Sequence, residues 1–313
     1  MKYTEFKERK NFAKNKVVPL LAECGFQERA EKIALCGHFK NVAICKDCGT
    51  WHFNGASSCK DRFCPLCQKK RSLLWFSKIT PLLHDYLDKG YFVNILNFTI
   101  RDVDNLKYGV DLLNDAFRYL THDNHQLARE FNKRFIGGLR SMEIVTGANS
   151  GKWHPHLHCM VVKFKYSKDF EWLKGAWEHS LQVVAHTAEK IGSVYIKGFT
   201  ADNRKGIETA ICETFKYMTK FNWKAKDIPE LVNTMEGRRT ISTWGCIRYM
   251  LSDYDAENEM DMTLTEIKDR ICSTCGGQSF DLIDNIAGDH MRLADFYDIG
   301  AEYEKIKDKI NDE

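Results

Sequence analysis

The sequence predicts an α+β fold: an antiparallel sheet of the split βαβ kind with helices on one face, preceded by a zinc-ribbon segment. Three observations predict it. Strand-like and helix-like runs alternate in the order β-α-β-β-α-β-α between residues 91 and 222. Two of the strands are separated only by turn-forming residues, so they pair as a hairpin. Ahead of them, residues 36–67 are rich in Cys, His and Gly and have little to bury, so they need a staple.

Residues 3–35 have helical spacing and many lysines, and they end near Gly37, which predicts an N-terminal helix over 1–35. The cysteine-rich segment extends over 36–80. From Pro65 a helix runs through QKKRSLLWFSKI and bends or restarts near Pro81. The principal domain then spans 85–230. YFVNILNFTI (91–100) is dense in β-branched and aromatic residues and reads as a buried strand. Helical periodicity over 105–136 stops at Gly137-Gly138. LRSMEIVTG (139–147) and HPHLHCMVVKFK (154–165) are strands joined by the turn ANSGKW. Residues 168–191 read as helix, SVYIKGFT (193–200) as strand, and 205–222 as helix. An acidic C-terminal region, 231–313, has a weaker pattern, with one CxxC and a charged helix from about 293.

The hydrophobic fraction of 43% in 313 residues supports a sizeable core. No run approaches the ~20 apolar residues that a membrane helix needs, and the start MKYTEFKERKNF lacks the apolar centre of a signal peptide. A cytoplasmic protein with no membrane partner is expected. The net charge of +3 is unevenly spread. Residues 1–80 carry +9 (16 Lys and Arg against 7 Asp and Glu), whereas 251–313 carry −11 (6 against 17). A basic N-terminal part with an acidic tail suits a nucleic-acid binder.

In a reducing compartment, clustered cysteines point to metal or catalysis rather than to disulfides. Cys45-x2-Cys48 and Cys64-x2-Cys67, fifteen residues apart, have zinc-ribbon spacing. Each CxxC is a tight knuckle presenting two thiolates, and two knuckles complete a tetrahedral structural zinc site. Cys36, His38 and Cys59 lie nearby and offer ligands for a second zinc, with His52 as a further candidate. Cys272-x2-Cys275 is a half-site that either joins partners such as Cys36 and His38 or is a turn with two thiols.

His154, His156 and His158 alternate with Pro155, Leu157 and Cys159. On a strand the side-chain period is two, so the three imidazoles share one face. Such a cluster is costly to bury without a metal or partners. Glu143, on the preceding strand of the hairpin, can add a carboxylate to the same ion. Two imidazoles and one carboxylate with open positions suit a divalent ion that must also bind a phosphate oxygen. An HxHxDH metallo-hydrolase site is out of register here, since Leu157, His158 and Cys159 supply no Asp. In GIETAICETFKYMTKFN (206–222), Ile207, Ile211, Thr214, Met218 and Phe221 trace one helical face. Glu213, Lys216, Tyr217 and Lys220 trace the other. That polar face offers a nucleophile, a base and cations for phosphate.

NFTIRD (97–102), HPHLH (154–158) and ETFKYMTK (213–220) together resemble the three motifs of single-tyrosine rolling-circle plasmid replication initiators, within the HUH endonucleases. RFCPLCQKKR (62–71) resembles the cysteine-rich segment ahead of the nuclease in these initiators. The likeness covers roughly residues 36–225, and 226–313 match nothing placed. The resemblance implies His156 and His158 as ligands of a Mg or Mn ion, with Glu143 as third ligand. It implies Tyr217 as the nucleophile that leaves a 5′-phosphotyrosine link, and Glu213 as the acid that directs a terminating hydrolysis. Lys220 resembles the lysine of YxxK. The implied partners are double-stranded origin DNA, single-stranded DNA, and a host helicase and DNA polymerase, because the chain has no Walker A motif. GANSGK (147–152) is one residue short of one. Self-association as a homo-oligomer stays open. An HUH transposase or relaxase would use the same chemistry. A non-catalytic zinc-ribbon module that binds DNA or RNA would account for the cysteines but not for HPHLH and ETFKY.

Overall fold

The computed structural model describes residues 3–37, 39–49, 51–56, 58–122, 124–147, 149–164, 170–199, 204–216, 223–251, 275–277 and 279–284. They fall into two compact units, 1–71 with 255–313, and 72–254.

In the first unit, α1 (Tyr3–Phe12) continues through a π-helical turn, Ala13–Val17, into α2 (Val18–Glu23), and α3 (Gln27–Ala34) follows. The single N-terminal helix expected over 1–35 is thus broken. Gly25, at φ +86°, ends α2, with the Gly25 amide donating to Ala22 O and the Phe26 amide to Leu21 O. That paired closure needs a left-handed residue, which glycine supplies without steric cost. Val17, Leu21, Ala30 and Ile33 are buried on the inward sides of these helices. β1 (Phe39–Cys45) pairs antiparallel with β2 (Trp51–Ala56).

The next helix, α4 (Pro65–Asp88), begins in the first unit and ends in the second. It is helical through Pro81 without the restart expected there. The second unit then continues with β3 (Phe92–Ile100), α5 (Leu106–Thr121), α6 (Gln126–Arg134), β4 (Gly137–Thr146), β5 (Trp153–Lys163), α7 (Phe170–Ala185), β6 (Gly192–Phe199) and α8 (Arg204–Lys216). After these come α9 (Ile228–Met235), β7 (Ile241–Trp244) and α10 (Gly245–Met250). The last strand, β8 (Phe280–Asp284), returns to the first unit and pairs with β1, giving a sheet ordered β2-β1-β8.

The larger sheet has the order β6-β3-β5-β4-β7, and every neighbouring pair is antiparallel. The α+β class, the strand order along the chain and the β4–β5 hairpin agree with the sequence. Two expectations need correction. Gly137 and Gly138 open β4 instead of merely ending a helix. A Cβ on Gly138 would strike the Met160 carbonyl and the Trp244 ring, so glycine lets β7 approach. Helices also cover both faces of the sheet, not one. On one face Phe98 packs edge-on to Phe117 of α5, with ring centroids 5.6 Å apart, and against Trp177 of α7 at 4.8 Å. On the other, Val93, Leu139, Met160 and Val162 share a core with Ile79 and Leu83 of α4 and Ile207, Ile211 and Phe215 of α8. The physical reason lies in β5, where Cys159, Met160, Val161 and Val162 are all buried. A strand apolar at both odd and even positions needs cover on both sides.

The segment read as a separate acidic region contributes to both units. β7 pairs with β4 in the second unit and β8 with β1 in the first. Just ahead of that segment, the Glu230 carboxylate of α9 accepts from the Leu106 amide at 2.6 Å and from Trp153 Nε1 at 2.7 Å. Among the described residues no helix is long and apolar enough to cross a membrane. The aromatic packing around Phe98 carries a stability prediction. Phe98→Ala should lower unfolding free energy by about 3–5 kcal/mol, measured by urea denaturation, and a loss under about 1 kcal/mol would contradict this core assignment.

Candidate active site and thiol groups

The alternation of β5 places His154, His156 and His158 on the face that also carries Met160 and Val162. Helices α4 and α8 cover the Met160–Val162 end of that face. At the histidine end, the register sets Glu143 of β4 opposite His156. Glu143 Oε2 lies 2.6 Å from His156 Nε2 and 2.8 Å from His158 Nε2. One ligand atom from each residue falls within 4.8 Å of the others. Glu143 and His156 are buried, and His158 is partly so. The residues expected to meet around an ion therefore do meet.

Burial alone would raise the Glu143 carboxyl, but hydrogen bonds and charge from His156 and His158 outweigh it, and its pKa falls to about 2. The group stays ionised wherever the protein is folded in ordinary buffers. Its depressed value stabilises the fold fully above the ordinary 4.5, and this contribution is lost as pH falls toward 2.

Two features beside the triad fit a hydrated divalent ion. His156 turns Nδ1 toward the His154 carbonyl at 3.4 Å, a long contact that leaves Nε2 facing the carboxylate. Asn97 stands opposite His158 in the β3–β5 register, and its buried Oδ1 has no hydrogen-bond partner among the described residues. A bound ion's water is one donor such an oxygen can accept from. An ionised carboxylate, two imidazoles and a buried amide oxygen form a donor set that can hold a divalent cation.

His154 is not part of this group. Its Nδ1 lies 2.8 Å from Asp102 Oδ1. Ser150 donates to the same carboxylate, and with His154 it holds Asp102 below the ordinary carboxylate range against the effect of burial. Asn97 and Asp102 are the two ends of NFTIRD, so that motif meets the histidine strand at both ends. Sequence reading assigned neither a role, although register alone could have paired Asn97 with the HPHLH strand. Glu213 has its backbone in the third turn of α8. Tyr217 and Lys220 lie outside the described residues.

The cysteines divide differently from the expected ribbon. Cys64 and Cys67 gather with Cys36 and Cys59, while Cys45 and Cys48 gather with Cys275. The two CxxC pairs expected to share one ion thus belong to separate groups. His38 and Cys272 lie outside the described residues. Spacing along the chain could not distinguish these arrangements, because β8 brings Cys275 beside β1 from a distant part of the sequence.

Residues 51–277 match the family model Rep_1, described as a replication protein. The similar proteins include three named Protein rep. That of Streptococcus pneumoniae serotype 2 (strain D39 / NCTC 7466) is 29% identical over 220 residues, 66% of this chain and 64% of its own length. That of Lactiplantibacillus plantarum is 27% identical over 236 residues, covering 67% and 71%. That of Lentilactobacillus hilgardii is 25% identical over 263 residues, covering 77% and 80%. The first alignment spans slightly under two thirds of that relative. No solved structure matches the chain.

Proposed function

Because the chain belongs to the Rep_1 family of replication proteins, which bears out its resemblance to rolling-circle plasmid replication initiators, we propose that it starts such replication by nicking one strand of a plasmid origin with Tyr217. The observation that carries this reading is the convergence of Glu143, His156 and His158 on one sheet face. The HUH type of fold is part of the same proposal.

A divalent Mg or Mn ion held by these three residues would polarise a phosphate oxygen and stabilise charge developing at phosphorus. The chain's own groups do the rest. The Tyr217 hydroxyl loses its proton to solvent or a nearby base, and its oxygen bonds to phosphorus. The bond from phosphorus to the 3′ oxygen breaks. One strand end is left as a 5′-phosphotyrosine and the other as a free 3′-hydroxyl, which a host polymerase extends. The phosphodiester energy is conserved in the link, so nicking needs no nucleotide hydrolysis, and strand separation falls to a host helicase. Lys220 supplies a cation to the scissile phosphate. The charge of +9 in residues 1–80 favours association with duplex and single-stranded DNA. Supercoiled plasmid bearing the origin, incubated with the protein and Mn, should become open circles with protein attached. Unchanged supercoiled DNA would refute the proposal.

Glu213 precedes Tyr217 by one helical turn in sequence, and its role is proposed to lie in ending the round. A carboxylate there accepts a proton from water, which attacks the regenerated origin in place of a second tyrosine. Glu213→Ala should nick at near wild-type rate and yet accumulate products longer than one plasmid unit. A plasmid with two origins in tandem measures initiation and termination separately. Equal loss of both steps would mark Glu213 as part of the nicking machinery, and loss of neither as a structural carboxylate.

A further inference from the structure

The thiol groups lie outside the proposed nicking site and are not used by it. We propose that the chain holds two structural zinc ions. Cys36, Cys59, Cys64 and Cys67 bind one, and Cys45, Cys48 and Cys275 supply three thiolates to the other.

The first group has the dimensions of a tetrathiolate. Cys36 Sγ lies 3.4 Å from Cys67 Sγ, and Cys59 Sγ lies 3.6 Å from it. Zinc–sulfur bonds of about 2.3 Å in a tetrahedron put sulfurs about 3.8 Å apart, whereas a disulfide needs about 2.05 Å. Cys36, Cys64 and Cys67 are buried. The surrounding turns are tied down independently of any ion. Lys10 donates to the Ala34 carbonyl at 2.8 Å and to that of Cys36. Asp61 accepts from the Phe63 amide at 2.7 Å and pairs with Arg29 at 3.1 Å. Cys64 and Cys67 flank and enter the first turn of α4, whose amides favour thiolates.

The second group is assembled from distant parts of the chain. Cys45 Sγ lies 3.5 Å from Cys275 Sγ across 230 residues of sequence. Two turns of like construction meet there. Cys48 is followed by Gly49 at φ +71°, with the Gly49 amide donating to Cys45 O at 2.8 Å. Cys275 is followed by Gly276 at φ +76°, and the Gly277 amide donates to Cys275 Sγ at 3.4 Å. An amide aimed at sulfur stabilises a thiolate. A Cβ on Gly277 would strike the Asp47 carboxylate, so the turns are in close contact. Lys46 donates its amide to Ser279 O at 2.9 Å, closing the same junction. In sequence, CKDCG (45–49) and CSTCG (272–276) have the same form. Zinc here fastens β8 to β1.

Elemental analysis of the full chain, purified without chelator, should find about two zinc per chain. Cys275→Ser and Cys36→Ser should each lose about one equivalent and keep the other. A single zinc that survives Cys275→Ser and is lost in Cys45→Ser and Cys64→Ser alike would overturn the proposal in favour of one shared ribbon. If the variants precipitate, the wild-type stoichiometry decides together with zinc K-edge absorption. About two ions, with four sulfurs around one and at least three around the other, support the proposal. One ion or none, or a shell holding imidazole nitrogen at both sites, overturns it.

Discussion

Tyr217→Phe should eliminate the covalent protein–DNA adduct and reduce nicking by at least about a thousandfold, since phenylalanine keeps the ring and removes the nucleophilic oxygen. Duplex affinity and thermal unfolding should stay within error of wild type. Ile207, Ile211 and Phe215 hold α8 to the sheet face that bears the histidines, and Tyr217 follows Phe215 by two residues. The control is Tyr195. It lies on β6 in register with Asn97, which is itself in register with His158, so it stands on the same face, and it is 59% exposed. Tyr195→Phe should keep the adduct. An adduct that persists in Tyr217→Phe and disappears in Tyr195→Phe would move the nucleophile to the edge strand.

His156→Ala or His158→Ala should lower nicking by at least about a hundredfold at saturating DNA, because each would remove one of the three proposed ligands of an ion that would stabilise charge in the transition state. Raising the Mn concentration should recover part of the loss in His158→Ala, the more exposed ligand, more readily than in His156→Ala. His154→Ala should cost far less. Its imidazole is engaged by Asp102 at 2.8 Å rather than by Glu143, so its contribution is to hold the start of β5. Neither ligand variant should change the zinc content, since the thiol groups lie in the other unit of the chain. Loss of zinc in His156→Ala, or full nicking activity in His158→Ala, would break the separation between the two kinds of site.

The triad was legible because both of its rules are local. Strand alternation aligns His156 with His158, and the short 147–152 turn fixes which β4 residue faces them. Glu143 follows from counting outward along the hairpin. The two-sided helix cover was less legible: the sequence assigned α4 as far as residue 80 to the cysteine segment, although Ile79, with Leu83 and Leu87 on the following turns, is buried in the sheet's core. The cysteine partition was not readable from spacing, since Cys45-x2-Cys48 and Cys64-x2-Cys67 satisfy the ribbon rule as a pair. The finer signal was the residue after each knuckle. Gly49 and Gly276 follow Cys48 and Cys275, whereas Cys67 continues into Gln68 and a helix. Glu230 gave no signal at all, because an exposed-looking acid in a short helix becomes an anchor only once Leu106 and Trp153 are brought to it.

The most direct test of the nicking mechanism is to locate the covalent bond. The full wild-type chain is incubated with Mn and supercoiled DNA from the region flanking its own gene, then digested with nuclease and trypsin and analysed by mass spectrometry. Cleavage after Lys216 and Lys220 releases the peptide Tyr217–Lys220, and that peptide should carry a nucleotide through its 5′ phosphate. A nucleotide on the peptide containing Tyr195, or nicked DNA with no peptide attached, would contradict it.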